Sequence, residues 1–340
     1  MRSDLTIILF LKDRHEFNRR FLKYYLKKGN NINLIISDGG KKKISKDCKI
    51  LFKNNSRVKY FAFPEDKSYK NYYIKIFKSL KNVKTEFVLF ADNDDFLVYE
   101  NILKFLRFIK NKNKYIGVGG TMIGFNIVKK NDRDFKLSNL NMIYNKINLD
   151  KKNKIDRFNE FMKNFSDLPR NCIMKRSVLL KNYKLSSKFF EDNIEVKDHF
   201  SVLYNVIHGK IKIFDIPIIM HQTHFNSEGN KRYNVIKKNF LNTNYIKDLI
   251  LLDDILCKKL KCRKYYILEK YFKNVSDVIF QNFEPKKEPS SKELYSFFIN
   301  KLKRRIIKND KIVQSSKKFS YNKNVKKIVN DIESFLENND

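Results

Sequence analysis

The chain has 340 residues, of which 42% are hydrophobic and 14% aromatic, so it can bury a substantial core and is not expected to be disordered. Its 72 Lys and Arg residues outnumber 37 Asp and Glu residues, and the formal charge of +35 favours contact with phosphates, nucleic acid or anionic lipid headgroups. The four cysteines show neither a C-x-x-C pair nor zinc-finger spacing to histidine, so neither a structural zinc nor a disulfide framework is expected, and a reducing cytoplasm is favoured.

The first apolar segment is Leu5–Leu11, which is followed by Lys12, Asp13 and Arg14. It is far shorter than the ~20 residues of a membrane span, it lacks a small-residue cleavage site, and no later segment predicts a span either. A continuous apolar run of this length is typical of a central strand that is covered on both faces.

Helix and strand patterns then alternate along the chain. A helix is predicted over residues 17–28 and a strand over 32–37, ending at Asp38. Further strands are predicted over 58–63, 86–91 and 115–119, with helices over 69–80 and 100–110. This alternation predicts an α/β fold with a mostly parallel sheet flanked by helices, in which ligands bind beyond the carboxyl ends of the strands.

The second half of the chain is less regular. Residues 129–168 are polar, rich in lysine and weakly periodic, so a mobile surface excursion or lid is expected there. Strands are predicted over 171–175 and 210–219, and helices over 177–182 and 195–208.

Beyond residue 225 the pattern becomes helical and basic, which predicts an α/β domain over residues 1–225 and a helical region over 226–340. Within that region, residues 294–307 combine apolar positions that can share one helix face with several Lys and Arg residues. This stretch is either an interfacial helix at a membrane surface or a helix packed on the first domain.

Three carboxylates, Asp92, Asp94 and Asp95, lie within four residues directly after an apolar strand. Their mutual repulsion favours a bound cation, and their oxygens suit Mn²⁺ or Mg²⁺, which in proteins commonly share the oxygens of a diphosphate. The alternative is that Asp94 or Asp95 only caps the following helix. The cluster therefore predicts either a metal and nucleotide site or a helix N-terminus.

The order and spacing of three segments resemble those of the GT-A glycosyltransferases, particularly the family 2-like group. The segments are residues 5–14 (LTIILFLKDR), 35–40 (IISDGG) and 87–96 (FVLFADNDDF). The resemblance covers roughly residues 5–220 of the chain. It implies a GT-A fold, a nucleotide-sugar donor and a divalent metal cofactor, Mn²⁺ or Mg²⁺.

The resemblance also implies which residues bind the nucleotide. Lys12 and Arg14 would line the base or phosphate pocket, and Asp38 would bond the base. The family often carries an Arg-Asn pair in the helix before the D-x-D strand, where this chain has residues 71–75. Lys75 is therefore expected to contact the diphosphate, as a point charge without a bidentate fork.

The D-x-D motif itself is expected to bind both ribose and metal. By resemblance, Asp92 would contact the ribose, with Asn93 beside it in the nucleotide-sugar site. Asp94 would bind the metal and Asp95 would support it. After the strand at 210–219, His221 and His224 occur in one short loop, and the resemblance implies His221 as a further metal ligand or diphosphate contact.

An inverting transferase needs a general base for the acceptor hydroxyl, and a carboxylate suits this task. The resemblance implies Asp198, eleven residues before Gly209, although Lys stands before it where the family usually has Glu. Glu191, Asp192 and Glu195 are alternatives, and each could instead be a solvated acid at the start of a helix.

These residues predict metal-dependent transfer of a sugar from a nucleotide-sugar donor to a hydroxyl of a glycan or lipid-linked acceptor, with inversion. Analogy with the family and the basic C-terminal region indicate surface polysaccharide or glycoconjugate assembly in the cytoplasm, with peripheral contact to the anionic inner face of the plasma membrane.

Two rival functions differ from this hypothesis. A sugar nucleotidyltransferase is disfavoured because residues 12–15 contain no glycine to wrap a triphosphate. A non-catalytic nucleic-acid-binding protein would fit the charge of +35, but the chain shows no helix-turn-helix, zinc-finger, RNP or KH signature. Nucleic acid is therefore not an expected partner.

Overall fold

The structure, a computed structural model, describes residues 4–131, 134–144, 146–163, 168–189, 194–223, 243–271 and 323–338. The strands are β1 (Leu5–Leu11), β2 (Asn33–Asp38), β3 (Val58–Ala62), β4 (Phe87–Asp92), β5 (Asp95–Leu97), β6 (Tyr115–Asn131), β7 (Asp134–Tyr144), β8 (Ile173–Lys175) and β9 (Lys210–Gln222). The helices are α1 (His15–Lys28), α2 (Lys46–Phe52), α3 (Tyr69–Asn82), α4 (Tyr99–Lys110), α5 (Lys154–Lys163), α6 (Arg176–Ser186), α7 (Ile194–His208), α8 (Thr243–Leu260) and a C-terminal helix (Lys323–Glu337).

The strands form one sheet in the order β3-β2-β1-β4-β8-β6-β9-β5, and β7 pairs with β6. Strands β3, β2, β1 and β4 are parallel to one another, whereas β8 is antiparallel to both β4 and β6. The predicted α/β sheet flanked by helices is confirmed, but the sheet is mixed rather than mostly parallel throughout. A three-residue strand such as β8 carries no sequence signal for its direction, and an antiparallel neighbour needs no helical crossover.

The described residues between 129 and 168 form regular elements rather than the irregular surface excursion or lid that their composition predicts. Strand β6 continues to Asn131 and forms an antiparallel hairpin with β7, and α5 follows. On β7, Phe135 and Leu137 are buried while Lys136 between them is exposed. The alternation of a half-buried strand is therefore present, but the polar residues on the outer face conceal it in the composition.

Hydrophobic side chains form two clusters, one on each face of the sheet. One cluster includes side chains of α1, α4 and the C-terminal helix, and the other includes side chains of α3, α5, α6, α7 and α8. Phe335 of the C-terminal helix packs against both Tyr24 and Phe96, with ring centroids 5.0 and 6.2 Å away, and those two rings also contact each other. The described helices of the 226–340 region thus pack on the same sheet as the rest of the chain.

The division of the chain at residue 225 stays a prediction, and residues 294–307 lie outside the described residues. Of the helices that the structure describes, none is both long and apolar enough to cross a lipid bilayer.

Candidate active site

The residues predicted to bind the nucleotide collect at one edge of the sheet. Strands β2, β1 and β4 are adjacent and parallel, so their carboxyl ends meet there. Lys12 and Arg14 follow β1, Asp38 ends β2, and Asp92 ends β4. The sequence-predicted residues are therefore brought together by the order of the parallel strands.

The turn between β1 and α1 has an unusual backbone. Asp13 and Arg14 have φ angles of 56° and 58°, in the left-handed region that residues with a Cβ rarely adopt. This conformation brings Nη1 of Arg14 within 2.8 Å of Oδ2 of Asp94. The arginine predicted to line the nucleotide pocket thus contacts a predicted metal ligand, while Lys12 on the same turn is exposed.

Asp94, Asp95 and His221 form the cluster best suited to a metal ion. Strand β5 pairs with β9 so that Asp95 lies opposite His221, and Nδ1 of His221 is 2.6 Å from Oδ1 of Asp95. The three side chains can offer ligand atoms that all lie within 4.8 Å of one another. Two carboxylates and an imidazole match the ligands of Mn²⁺, and the carboxylates also suit Mg²⁺. The two residues predicted to bind the metal, Asp94 and His221, thus lie close together in the structure. Asp95 lies beside them and offers a third ligand atom.

The electrostatics of this cluster depend on burial and on its hydrogen bond. Burial raises the pKa of Asp95 to about 6, against the opposing effect of the hydrogen bond to His221. For His221, burial lowers the pKa, but Asp95 and its acidic neighbours outweigh this effect and raise the pKa to about 9. At neutral pH the imidazole is therefore protonated, and it must lose that proton to become a metal ligand.

The alternative that Asp94 or Asp95 only caps a helix is wrong. Helix α4 begins after Val98, which makes no side-chain capping hydrogen bond. The carboxylates of Asp94 and Asp95 contact Arg14 and His221 instead.

The other two residues of the D-x-D segment differ in accessibility. Asp92 is partly exposed at the end of β4. Asn93 is buried, and its Nδ2 donates to Oδ1 of Asn18 on α1 at 2.6 Å. Its amide therefore holds the segment to α1, and the nucleotide-sugar roles of Asp92 and Asn93 stay predictions.

Asp38 is only 1% exposed, and its carboxylate organises the loop after β2. Oδ1 accepts from the Gly40 N–H at 2.9 Å, and Oδ2 accepts from the Ile44 N–H and the Tyr60 hydroxyl, each at 2.8 Å. These internal donors account for both oxygens, so a bond from Asp38 to the base stays a prediction.

Lys75 is buried beneath the same edge of the sheet. Its ammonium pairs with Asp66 and donates to the Leu11 carbonyl at 3.2 Å. Burial lowers the pKa of Lys75, although the Asp66 carboxylate opposes this effect. The ammonium is thus held inside the protein in an arrangement that the sequence did not indicate, and its predicted contact with the diphosphate stays untested.

Asp198 lies on α7, is 6% exposed, and accepts a hydrogen bond from the Tyr73 hydroxyl on α3. Burial and the nearby Asp198 carboxylate raise the pKa of Tyr73 well above its usual value, so this hydroxyl stays protonated and can donate. Glu191 and Asp192 lie outside the described residues, as does the side chain of Glu195. The structure therefore places one of the predicted base candidates, and the choice among them stays a prediction.

Sequence reasoning missed Arg170, which lies in the 3₁₀ turn Leu168–Asn171. Its Nη2 donates to the Tyr72 hydroxyl at 2.7 Å. Burial lowers the pKa of Arg170, but Tyr72, Asp92 and Asp198 together outweigh this effect and keep the guanidinium charged. Arg170 belongs to no recognisable motif, so the sequence gave no signal of this position.

No protein-family model matches the chain, and no curated protein matches it in sequence. Solved structures do match. The crystal structure of S. aureus TarS 1-349 has a TM-score of 0.51 and 14% identity, over 84% of this chain and 77% of that chain. The same protein in complex with UDP-GlcNAc has a TM-score of 0.51 and 15% identity, over 84% and 78% of the two chains. This likeness shows the fold, which is GT-A-like as the sequence predicted.

Proposed function

We propose that this chain is a metal-dependent glycosyltransferase that moves a sugar from a nucleotide-sugar donor to a hydroxyl of a glycan or lipid-linked acceptor. One observation carries the proposal. Potential ligand atoms of Asp94, Asp95 and His221 lie within 4.8 Å of one another, at the carboxyl edge of a GT-A-like sheet. Ligands of open α/β sheets bind at this edge. Because the similar TarS structure was solved in complex with UDP-GlcNAc, a UDP-sugar is the first donor to test.

On the donor side, Asp94, Asp95 and His221 would hold Mn²⁺ or Mg²⁺. When bound, the metal neutralises the negative charge that develops on the diphosphate leaving group. Arg14 contacts Asp94 and adds a further positive charge beside the same group. Asp92, partly exposed at the end of β4, is the acid available to the ribose hydroxyls.

On the acceptor side, Asp198 takes the proton of the acceptor hydroxyl as the oxygen bonds to the anomeric carbon and the bond from sugar to phosphate breaks. The hydrogen bond from Tyr73 orients the carboxylate on α7. Attack from the face opposite the leaving group makes this a single displacement with inversion. The setting we propose is surface polysaccharide or glycoconjugate assembly at the cytoplasmic face of a membrane.

Isothermal titration calorimetry with UDP, GDP and CMP, each with and without Mn²⁺, tests the donor site. Asp94→Asn should weaken the metal-dependent binding of one nucleotide at least roughly 100-fold, because it removes a charged ligand. Asp215→Asn is the matched control, since Asp215 is exposed on β9, the strand that carries His221. Failure of all three nucleotides to bind the wild-type protein contradicts the proposal.

A second test addresses the base and the rival function. Asp198→Asn should retain nucleotide binding but lose transfer by about 10²- to 10⁴-fold, and an NMR analysis of the product should show an inverted anomeric centre. Retained configuration would exclude the single displacement.

Nucleic-acid binding that persists in Asp94→Asn and falls steeply with salt would instead favour the rival function, a basic nucleic-acid-binding protein.

A further inference from the structure

Arg170 lies beside the two acids that the proposed reaction assigns to opposite sides of the transferred sugar. Strand β8 runs antiparallel to β4, so the chain just before β8 lies next to the carboxyl end of β4, where Asp92 stands. The 3₁₀ turn that carries Arg170 packs against β4 and also against α7, the helix of Asp198. Its position therefore follows from the sheet topology as well as from its side-chain contacts.

The guanidinium of Arg170 is held at one end only. It has five N–H donors, and within the described residues its hydrogen bond is the one to the Tyr72 hydroxyl. Asp92 and Asp198 act on it through space, with no hydrogen bond to either carboxylate in the part of the chain that the structure describes. Arg170 is partly exposed, so its remaining donors can reach a ligand between these carboxylates.

We propose that Arg170 binds the hydroxyl oxygens of the transferred sugar, at a position close to both Asp92 and Asp198. This inference rests on the proposed function. In a displacement with inversion, the anomeric carbon lies between the leaving diphosphate and the base, so a group between the donor-side acid and the base lies beside the sugar. A guanidinium offers donors only, and sugar hydroxyl oxygens are acceptors that fit them.

Tyr72 orients this group. Its ring packs edge to face against the ring of Tyr73, with centroids 5.9 Å apart, and Tyr73 in turn donates to Asp198. The two adjacent tyrosines of α3 thus hold the sugar-binding arginine and the base in one arrangement. A change at Tyr72 should therefore loosen Arg170 without removing its charge.

The test compares ligands with and without the sugar. Binding of UDP, UDP-glucose and UDP-GlcNAc in the presence of Mn²⁺ is measured by calorimetry on the full chain, on Arg170→Gln and on Tyr72→Phe. Arg170→Gln should lower the affinity for UDP-glucose or UDP-GlcNAc roughly ten- to hundred-fold and change the affinity for UDP by less than about two-fold. Tyr72→Phe should also lower the affinity for the UDP-sugar, but by a smaller factor.

Arg263→Gln is the matched control, because Arg263 is exposed and pairs with Glu269 away from the site. Unchanged UDP affinity and an unchanged melting temperature show that the variants are folded. Equal weakening of UDP and the UDP-sugars, or no change in either, overturns the role of Arg170 while leaving the donor site in place. If the wild-type protein binds GDP or CMP rather than UDP, the same comparison is made with the sugars of that nucleotide, and absence of binding by all three removes the proposed function and this inference with it.

Discussion

Asp66 and Lys75 form an ion pair that is almost completely removed from solvent at the edge of the sheet. Their side chains are 3% and 2% exposed, and the second carboxylate oxygen of Asp66 has no hydrogen-bond partner among the described residues. Burial raises the pKa of Asp66, which the Lys75 ammonium opposes. Removing one member of such a pair leaves a buried charge without compensation.

Lys75→Met should therefore lower the free energy of unfolding by about 3–5 kcal/mol, measured by urea denaturation. The double variant Asp66→Asn/Lys75→Met should be more stable than Lys75→Met, because it removes both charges together. If Lys75 acts only on the diphosphate, Lys75→Met will instead keep its stability and lose nucleotide affinity. This comparison separates the buried pair from the ligand role that the sequence predicts.

At the scale of single elements, α7 ends in a histidine that folding keeps neutral. His208 stacks on Tyr204, with ring centroids 3.8 Å apart, and its Nδ1 is 3.0 Å from the Tyr204 carbonyl oxygen. Burial lowers the pKa of His208 to about 4, against the opposing hydrogen bond to Tyr204. The unfolded value is near 6.5, so on acidification through pH 6.5 to 4 the unfolded chain takes up a proton that the folded chain does not.

The free energy of unfolding should therefore decrease as the pH is lowered through this range. His208→Gln should make this decrease smaller by about 1–2 kcal/mol, after allowance for solvent screening. Glutamine can donate to the same carbonyl but does not titrate. Urea unfolding of both proteins at pH 7 and pH 4.5 measures the difference, since all other groups are common to them. The same pH dependence in both proteins would show that His208 titrates as it does in the unfolded chain.

The C-terminal helix is a second element with a testable role, because it packs close to the candidate metal site. Phe335 is 1% exposed and contacts Phe96, which directly follows Asp95. On the same helix, Oε1 of Glu333 accepts a hydrogen bond from the Leu137 N–H of the β6–β7 hairpin at 2.8 Å. The far end of the chain thus supports the strand that carries the acidic motif.

Phe335→Ala should reduce the free energy of unfolding by about 3–5 kcal/mol, because it leaves a cavity beside the rings of Tyr24 and Phe96. It should also weaken Mn²⁺ binding, since Phe96 anchors the segment that positions Asp95. Thermal melting and a metal titration measure the two effects. Ser334→Ala, an exposed change on the same helix, should alter neither, and an equal loss in both variants would contradict the packing role.

For the whole molecule, the formal charge of +35 predicts binding to anionic membranes through long-range electrostatics. The full chain should co-sediment with vesicles that contain phosphatidylserine at low salt and be released at about 0.5 M NaCl, where screening shortens the range of the interaction to a few ångströms. Phosphatidylcholine vesicles are the control. Binding to neutral vesicles, or binding that salt does not change, would exclude an electrostatic contact.

The sequence by itself determined the parts of this protein whose signals are local. Apolar runs of strand length locate β1 and β4, and the acidic residues that follow β4 locate the end of the sheet where a ligand binds. The alternation of strands and helices predicted an α/β fold, because it limits the number of possible sheets, and the resemblance to the GT-A glycosyltransferases implied the GT-A-like fold. Each strand and the acidic segment are encoded within a window of a few residues.

Only the tertiary structure decided which distant residues meet. His221 contacts Asp95 across 126 positions because β5 pairs with β9, and Arg170 reaches Tyr72 across 98 positions because β8 runs antiparallel to β4. Strand register and direction arise from side-chain packing over the whole sheet, and short strands carry little trace of either in their own residues. The β6–β7 hairpin was hidden for a related reason, since the pairing of β7 with β6 depends on residues of both strands, and exposed lysines such as Lys129 and Lys136 make this part of the chain polar in composition.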